Sequence, residues 1–256
     1  MAGINMVQAE RIGFGGEKSR NYQNFEKLKK RVDNSTLLQL VNHENAVVSC
    51  YASWALVDRE YPDLAAIFNK FLKENKKVTT FSGCIFSSDY VSNEFYHHYW
   101  AKVENKESDK TLTTLDSLII YQNNPDWLLL RRALENRVYP KTYNPQISFL
   151  AFEQGLSEAI FYLSDWFKED YKDEIFESLI KYMIKTDFSE VGTSQYFSVV
   201  EEVLTYNGKA VRQQVIKKLQ QDKHWKNDSI RFNKLLKEKN IYLDDIYFPK
   251  YERISN

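Results

Sequence analysis

The segment most suggestive of phosphate chemistry is glycine-rich and lies early in the sequence, Gly13-Phe14-Gly15-Gly16-Glu17-Lys18-Ser19. A phosphate-binding loop needs a glycine directly before its lysine, a strand before it and an apolar helix after it. Here Glu17 occupies that glycine's place and would set a carboxylate against the phosphate. We therefore predict that residues 1–18 form an extended or flexible arm and not a nucleotide site.

Two histidines, His97 and His98, are adjacent within an aromatic segment, residues 95–100. Neighbouring side chains on a helix point about 100° apart, so the two imidazoles do not readily bind one metal ion. Neither histidine has a Cys or His four residues further on, and His43 and His224 are isolated. These patterns favour a structural or surface histidine pair, and we predict neither a metal nor another cofactor.

The remaining reactive residue types also favour structural roles. The two cysteines, Cys50 and Cys84, do not make a disulfide scaffold or a metal site. Arg131-Arg132 could contact an anion or a nucleic acid, but Glu135 lies at helical spacing and suggests an ordinary surface ion pair. No nucleophile with a neighbouring base stands out, so we predict no catalytic residues and no enzyme activity.

Composition narrows the class of protein further. The chain has 256 residues, with 35 Lys and Arg against 35 Asp and Glu, so its formal charge is zero. Proteins that bind the phosphate backbone of nucleic acids usually carry a basic excess or a basic face. No apolar run is long enough to span a bilayer, and the first 20 residues lack the apolar core of a secretory signal. We expect a soluble, cytoplasmic protein unless a signal peptide has been removed.

A helix-pair pattern recurs along the chain, most clearly in residues 36–45 followed by 46–56. A helical hairpin with one apolar side cannot bury that side alone, so it must stack on similar hairpins. With only eight glycines and five prolines, this pattern predicts an all-α solenoid with more than half its residues in helices. The segment 76–88 interrupts the pattern, and we predict an irregular insertion there with, at most, a short strand pair near 77–86.

The predicted organisation has three parts: the arm 1–18, N-terminal helical repeats at 19–103 and C-terminal helical repeats at 112–256. The polar residues 104–111 are the best candidate for a boundary, although the two sets of repeats are expected to form one continuous solenoid. Apolar residues at i, i+3, i+4 and i+7, together with capping signals, predict helices near 20–32, 35–42, 45–60, 62–72, 89–103, 115–121, 144–155, 156–168, 172–185, 194–206, 209–221 and 228–239. Further signals are a helix start at Asn124-Pro125, a turn at Asn207-Gly208 and an irregular cap over 241–256.

Residues 48–56, Val-Ser-Cys-Tyr-Ala-Ser-Trp-Ala-Leu, resemble the second helix of a HEAT repeat, in which a Val-Arg start precedes small residues and a closing Ala-Leu. Residues 211–219 resemble the same helix and keep the arginine, and 159–167 form a third, weaker match. The resemblance implies a right-handed stack of antiparallel helix pairs with one concave face. The period is not constant and Ser49 replaces the family's usual arginine, so no functional residue is carried over.

Two function classes fit these patterns. The first is a non-catalytic module that binds another protein on its concave face, as a scaffold subunit or an immunity-type inhibitor of a toxin. The alternative is a nucleic-acid-binding helical-repeat protein resembling alkylation-lesion DNA glycosylases. Zero net charge and the lack of a basic stripe favour the first class and make nucleic acid an unlikely partner. Because Tyr, Trp and Arg commonly anchor protein interfaces, the predicted partner-binding residues are Tyr96, Trp100, Trp127 and Arg132.

Overall fold

The computed structural model describes residues 2–206 and 208–243 of the chain. It divides into two compact units, Met1–Val138 and Tyr139–Asn256. The division differs from the boundary predicted at 104–111, because those residues lie inside the first unit. Asn207, half of the predicted turn, and residues 244–256, most of the predicted C-terminal cap, lie outside the described residues.

The first unit begins its helical part with four helices close to the predicted ranges. They are α1 Arg20–Arg31, α2 Asn34–Val41, α3 Ala46–Asp58 and α4 Leu64–Glu74. Each starts where a short polar side chain accepts a hydrogen bond from a backbone amide of the first turn; these caps are Ser19, Asp33, Asn45 and Asp63.

Helix α3 is covered on nearly all sides, and residues 49–57 are buried without a break. The helical spacing of apolar residues in this segment predicts one buried face, whereas the structure buries the helix on almost all sides. Its small polar residues satisfy their hydroxyls locally: Ser49 donates to the carbonyl of Val41 at 2.7 Å, and Ser53 donates to that of Cys50 at 2.7 Å.

A four-stranded mixed sheet accompanies these helices. Its strands are β1 Val7–Ile12, β2 Glu17–Lys18, β3 Lys77–Gly83 and β4 Ile85–Tyr90, in the order β2-β1-β3-β4. Strands β1 and β3 run parallel, and the other two pairs are antiparallel. The strand pair predicted near 77–86 is therefore part of a larger sheet, which is the main departure from the all-α prediction.

The sheet also corrects the prediction of a flexible arm at residues 1–18. Val7 is only 2% exposed, and the backbone of Gln8 is held from both sides by one side chain. The amide of Gln8 donates to the hydroxyl oxygen of Tyr51 at 2.7 Å, and that hydroxyl donates to the carbonyl of Gln8 at 2.9 Å. Because Tyr51 is fully buried in α3, β1 is anchored to the helical core.

The rest of the first unit consists of three helices. α5, Val91–Lys102, follows β4 directly, and α6, Lys110–Ile120, and α7, Trp127–Glu135, come after it. The helix start predicted at Asn124-Pro125 lies slightly further on, because Asp126 caps α7 by accepting from two amides of its first turn.

The second unit has helices and no strand among its described residues. Its helices are α8 Asn144–Ser148, α9 Ser157–Trp166, α10 Lys172–Lys185, α11 Phe188–Val191, α12 Thr193–Val203, α13 Lys209–Gln221 and α14 Ser229–Glu238. A π-helical turn, Phe149–Glu153, extends α8 towards Gly155, whose φ of 70° suits a glycine. The predicted start at Asn144-Pro145 and end near Gly155 are both confirmed.

Helices account for 66% of the structure, so the prediction of a mostly helical chain is confirmed. Within the described residues, none of the helices has both the length and the apolar character needed to cross a membrane.

Candidate functional site

Two of the predicted partner-binding residues, Trp100 and Arg132, are in direct contact. The guanidinium of Arg132 lies over the indole of Trp100, 4.7 Å from the ring centroid, and the ammonium of Lys106 lies 4.2 Å from the same centroid. The indole N–H of Trp100 donates to Asn136 at 2.9 Å. Trp100 is therefore fixed by cation–π contacts and a hydrogen bond, and only part of it faces solvent.

The other two predicted residues differ sharply in exposure. Trp127, the first residue of α7, is 57% exposed and available for contact. Tyr96 is fully buried, and its hydroxyl donates to the carboxylate of Asp116 at 2.6 Å. Asp116 is itself buried and paired with Arg137 at 2.9 Å. In this structure Tyr96 therefore supports the interior beneath α5 and offers no surface to a partner.

Strand β4 forms one free edge of the sheet, since within the described residues only β3 pairs with it in the sheet order. Residues 85–88 are all exposed. Phe81 of β3 and Phe86 of β4 are directly opposed, and their rings stack with centroids 3.9 Å apart. Phe86 remains 62% exposed, so this ring pair forms an exposed apolar surface beside the free edge.

The turns of the two strand pairs lie together at one end of the sheet. The amide of Gly13 donates to the carbonyl of Gly83 at 2.8 Å, which joins the β1–β2 turn to the β3–β4 turn. Phe14 projects fully into solvent from the first turn, and Ile85 is 70% exposed beside the second. We call Phe14, Ile85 and Phe86 the apolar tip. Ile85 and Phe86 are successive strand residues and point to opposite faces of the sheet, so the apolar tip exposes apolar side chains on both faces, and exposed apolar surface commonly marks interaction sites.

A second group of side chains brings together metal-ligand atoms. Asp89 lies near the end of β4, and Glu94 and His97 lie one turn apart on α5. One ligand atom from each residue lies within 4.8 Å of the others. We call Asp89, Glu94 and His97 the carboxylate–imidazole cluster. It forms because β4 leads into α5 without an intervening loop, which places the strand's last carboxylate beside the first turns of the helix.

The electrostatics of the carboxylate–imidazole cluster show poorly compensated charge. Burial raises the pKa of Glu94 to about 7, and the negative charge of Asp89 adds to this effect. Burial also raises the pKa of Asp89, although hydrogen bonds from Tyr90 and Asn93 oppose the change. Burial lowers the pKa of His97 to about 4, and the nearby charge of Arg132 acts in the same direction. These groups could hold a cation that offsets the two carboxylates.

The adjacent histidine, His98, belongs to a different network. One of its ring nitrogens lies 2.8 Å from the carboxylate of Asp58, which also accepts from Lys29 at 2.8 Å and Lys102 at 2.9 Å. The ring of His98 stacks on Trp54 with centroids 4.5 Å apart. Because these contacts join α1, α3 and α5, the network holds helices together.

The sequence did not predict the carboxylate–imidazole cluster, because neither histidine has a Cys or His four residues further on. Glu94 and His97 are three positions apart, a spacing that puts two side chains on the same helix face. That signal was present in the sequence. The contribution of Asp89 was not, because it depends on how β4 joins α5.

Comparison of the chain with protein-family models, with curated proteins and with solved structures found no match.

Proposed function

We propose that this protein is a non-catalytic protein-binding module, and that its first unit binds an extended segment of a partner protein along β4. The observation that carries the proposal is the free edge of β4, where residues 85–88 are exposed and uncharged. An exposed sheet edge presents backbone donors and acceptors that an added strand satisfies.

The sequence of this edge lacks the features that usually prevent strand addition. Proteins protect edge strands with lysines, prolines or bulges. Residues 85–88, Ile-Phe-Ser-Ser, contain neither a lysine nor a proline, and the register between β3 and β4 runs without a shift. A straight, unprotected edge favours pairing with another polypeptide.

Side chains beside the edge supply an apolar contact for the added strand. Phe86 and Ile85 are largely exposed, and Phe14 extends the same apolar tip from the neighbouring turn. Alternate side chains of an extended segment point to the same face of a sheet. Every second residue of a bound segment would therefore meet the stacked rings of Phe81 and Phe86, which favours partners with alternating apolar residues.

The dimensions of the edge favour a partner segment over a second copy of this chain. Four exposed residues span only ~13 Å of strand. Stable protein–protein interfaces bury about 800 Å² on each partner, more than a strand contact of this length provides. A short linear segment needs less area, so the edge suits recognition of an extended peptide.

The proposal includes the helical-repeat interpretation of the chain. Helices α2 and α3 pack as a hairpin, and the resemblance of residues 48–56 to a HEAT helix supports stacking of such pairs as a right-handed solenoid. A scaffold subunit and an immunity-type inhibitor both fit a module of this kind. Trp127 is the predicted partner-binding residue with the greatest exposure and would extend the contact surface of the first unit.

The test is a selection of displayed random peptides on the full-length protein, with Ile85→Lys used for counter-selection. We expect the selected peptides to carry alternating apolar residues. N-methylation of the alternate peptide amides that face β4 should weaken binding about 10- to 100-fold, because each lost hydrogen bond is worth about 0.5–1.5 kcal/mol. N-methylation of the other amides should have little effect.

Ile230→Lys is the matched control, because Ile230 is 84% exposed and lies on α14 of the second unit. Peptides that bind the Ile85→Lys and Ile230→Lys variants equally well would contradict the proposal. Dimerisation of the wild-type protein that Ile85→Lys abolishes would also contradict it, by identifying a second copy as the occupant of the edge.

A further inference from the structure

We propose that Asp89, Glu94 and His97 bind a divalent transition-metal ion in the first unit. The three candidate ligand atoms already lie within 4.8 Å of one another. Ligand atoms bonded to one metal ion at about 2.0–2.2 Å are separated by less than this, so small side-chain rotations would bring them into coordination. This site is independent of strand addition at β4.

The donor set indicates the class of ion. Two carboxylates and one imidazole form a mixed oxygen and nitrogen site, which suits zinc and neighbouring first-row divalent ions better than magnesium or calcium. Three protein ligands also leave coordination positions for water or for another ligand. The proposed site is therefore open.

The state of His97 supports this assignment. Its Nε2 atom is buried and has no hydrogen-bond partner among the described residues. A buried polar atom left unpaired is costly, and a neutral imidazole nitrogen is a good metal ligand. A cation bound through this nitrogen would satisfy it, and the two carboxylates of the cluster lie within reach of the His97 ring.

The charges around the cluster favour a divalent ion. Asp89 and Glu94 repel each other, and Asp126 adds a third negative charge close enough to affect both Asp89 and His97. Arg132 is the nearby positive charge acting on His97, but its guanidinium lies over Trp100. The ionised cluster therefore keeps a negative excess that a divalent cation would neutralise.

Two further observations make binding feasible. All three candidate ligands belong to residues that are partly exposed, so the cluster lies close to the surface of the unit. The backbone at Glu94 is also fixed, because its carbonyl accepts a hydrogen bond from the indole N–H of Trp54 at 3.0 Å.

The test is titration of the metal-free, full-length protein with Co²⁺, followed by visible absorption and calorimetry. We expect saturable binding of about one ion per chain, and displacement by Zn²⁺, which binds such sites more tightly. Glu94→Gln and His97→Gln should each weaken Co²⁺ binding about 100-fold or more, since even loss of a group supporting a ligand costs about 10- to 100-fold.

Three further variants distinguish this site from adventitious binding. His98→Gln and His224→Gln remove histidines outside the cluster and should leave the affinity for Co²⁺ unchanged. Arg132→Gln removes an opposing positive charge and should tighten binding a few-fold. Circular dichroism of each variant checks that it is folded, and Glu94→Gln, which changes charge but hardly changes shape, suffices if His97→Gln does not fold.

Absence of saturable Co²⁺ binding by the wild-type protein would overturn the proposal. Equal Co²⁺ affinity of the wild-type protein and the folded Glu94→Gln variant would overturn it as well, as would loss of binding in His224→Gln alone.

Discussion

Asp58 is the residue on which three helices of the first unit converge. Burial alone would raise the pKa of Asp58, but hydrogen bonds from His98, Lys29 and Lys102 hold this pKa well below its usual range. A carboxylate with a lower pKa in the folded than in the unfolded chain stabilises the fold above an unfolded pKa of about 3.9. This stabilisation is lost as the pH falls from about 3.9 through the lower pKa that Asp58 has in the folded state.

We therefore predict that Asp58→Asn lowers the free energy of unfolding at pH 7 by about 1–3 kcal/mol and has a smaller effect near pH 2–3. Urea unfolding at several pH values measures both effects. Asp170→Asn is the control, because it removes an ion pair with Lys141 that is largely exposed and should contribute little. If Asp58→Asn lowered the free energy of unfolding by the same amount at every pH, the prediction would be wrong.

Ala52 is fully buried at the centre of α3. Ala52→Leu adds volume to a packed interior and should lower the free energy of unfolding by about 1–3 kcal/mol. Ala66→Leu makes the same change at an exposed position of α4 and should have little effect. Thermal and urea unfolding of the two variants give the comparison, and equal stability of Ala52→Leu and the wild-type protein would show that the site tolerates the extra volume.

At the scale of elements, the start of α3 depends on a single side chain. The carbonyl oxygen of the Asn45 side chain accepts from the amides of Val47 and Val48 at 3.0 and 3.2 Å. Asn45→Ala should lower the free energy of unfolding by about 1 kcal/mol. Asn45→Ser should lower it much less, because serine caps helices about as well as asparagine. Chemical denaturation measures both changes. Equal destabilisation by the two substitutions would show that the cap contributes little.

The sequence predicted helices better than strands for a physical reason. A helix is specified by residues three or four positions apart, and its ends are set by local caps such as Asp33 and Asn45. Most helical ranges were therefore predicted closely. Strand β1 pairs in parallel with β3, more than 70 positions away, and its sequence, Val-Gln-Ala-Glu-Arg-Ile, shows no strict alternation of apolar and polar residues. The local sequence pattern of β1 could therefore not predict its pairing with β3.

Prediction of the candidate sites from the sequence is limited in the same way, because burial and strand order depend on residues far apart in the chain. Trp127 was predicted from residue type and is exposed, but residue type alone could not show that Tyr96 is buried. The free edge of β4 depends on the order of strands in the sheet. The carboxylate–imidazole cluster combines a local spacing, Glu94 and His97, with a position on β4 that only the fold brings near.

At the scale of the whole molecule, zero net charge leads to a prediction about nucleic acid. We expect no micromolar or tighter binding of duplex DNA by the full-length protein. Titration with duplex DNA across a salt series tests this, because each neutralised phosphate releases a counterion and makes binding fall with salt. Tight binding with a steep negative salt slope would favour the alternative that resembles alkylation-lesion DNA glycosylases.

The parallel pairing of β1 with β3 has a consequence for how the protein is made. Strand β1 is synthesised before β3 and has no parallel partner until β3 has left the ribosome, about 70 residues later. At ~5–20 residues per second this delay lasts several seconds. Helices α1 to α4 emerge in that interval and include Tyr51, whose hydroxyl binds the backbone of Gln8 in the finished fold. We therefore expect β1 to dock on α3 during translation, before the sheet can close.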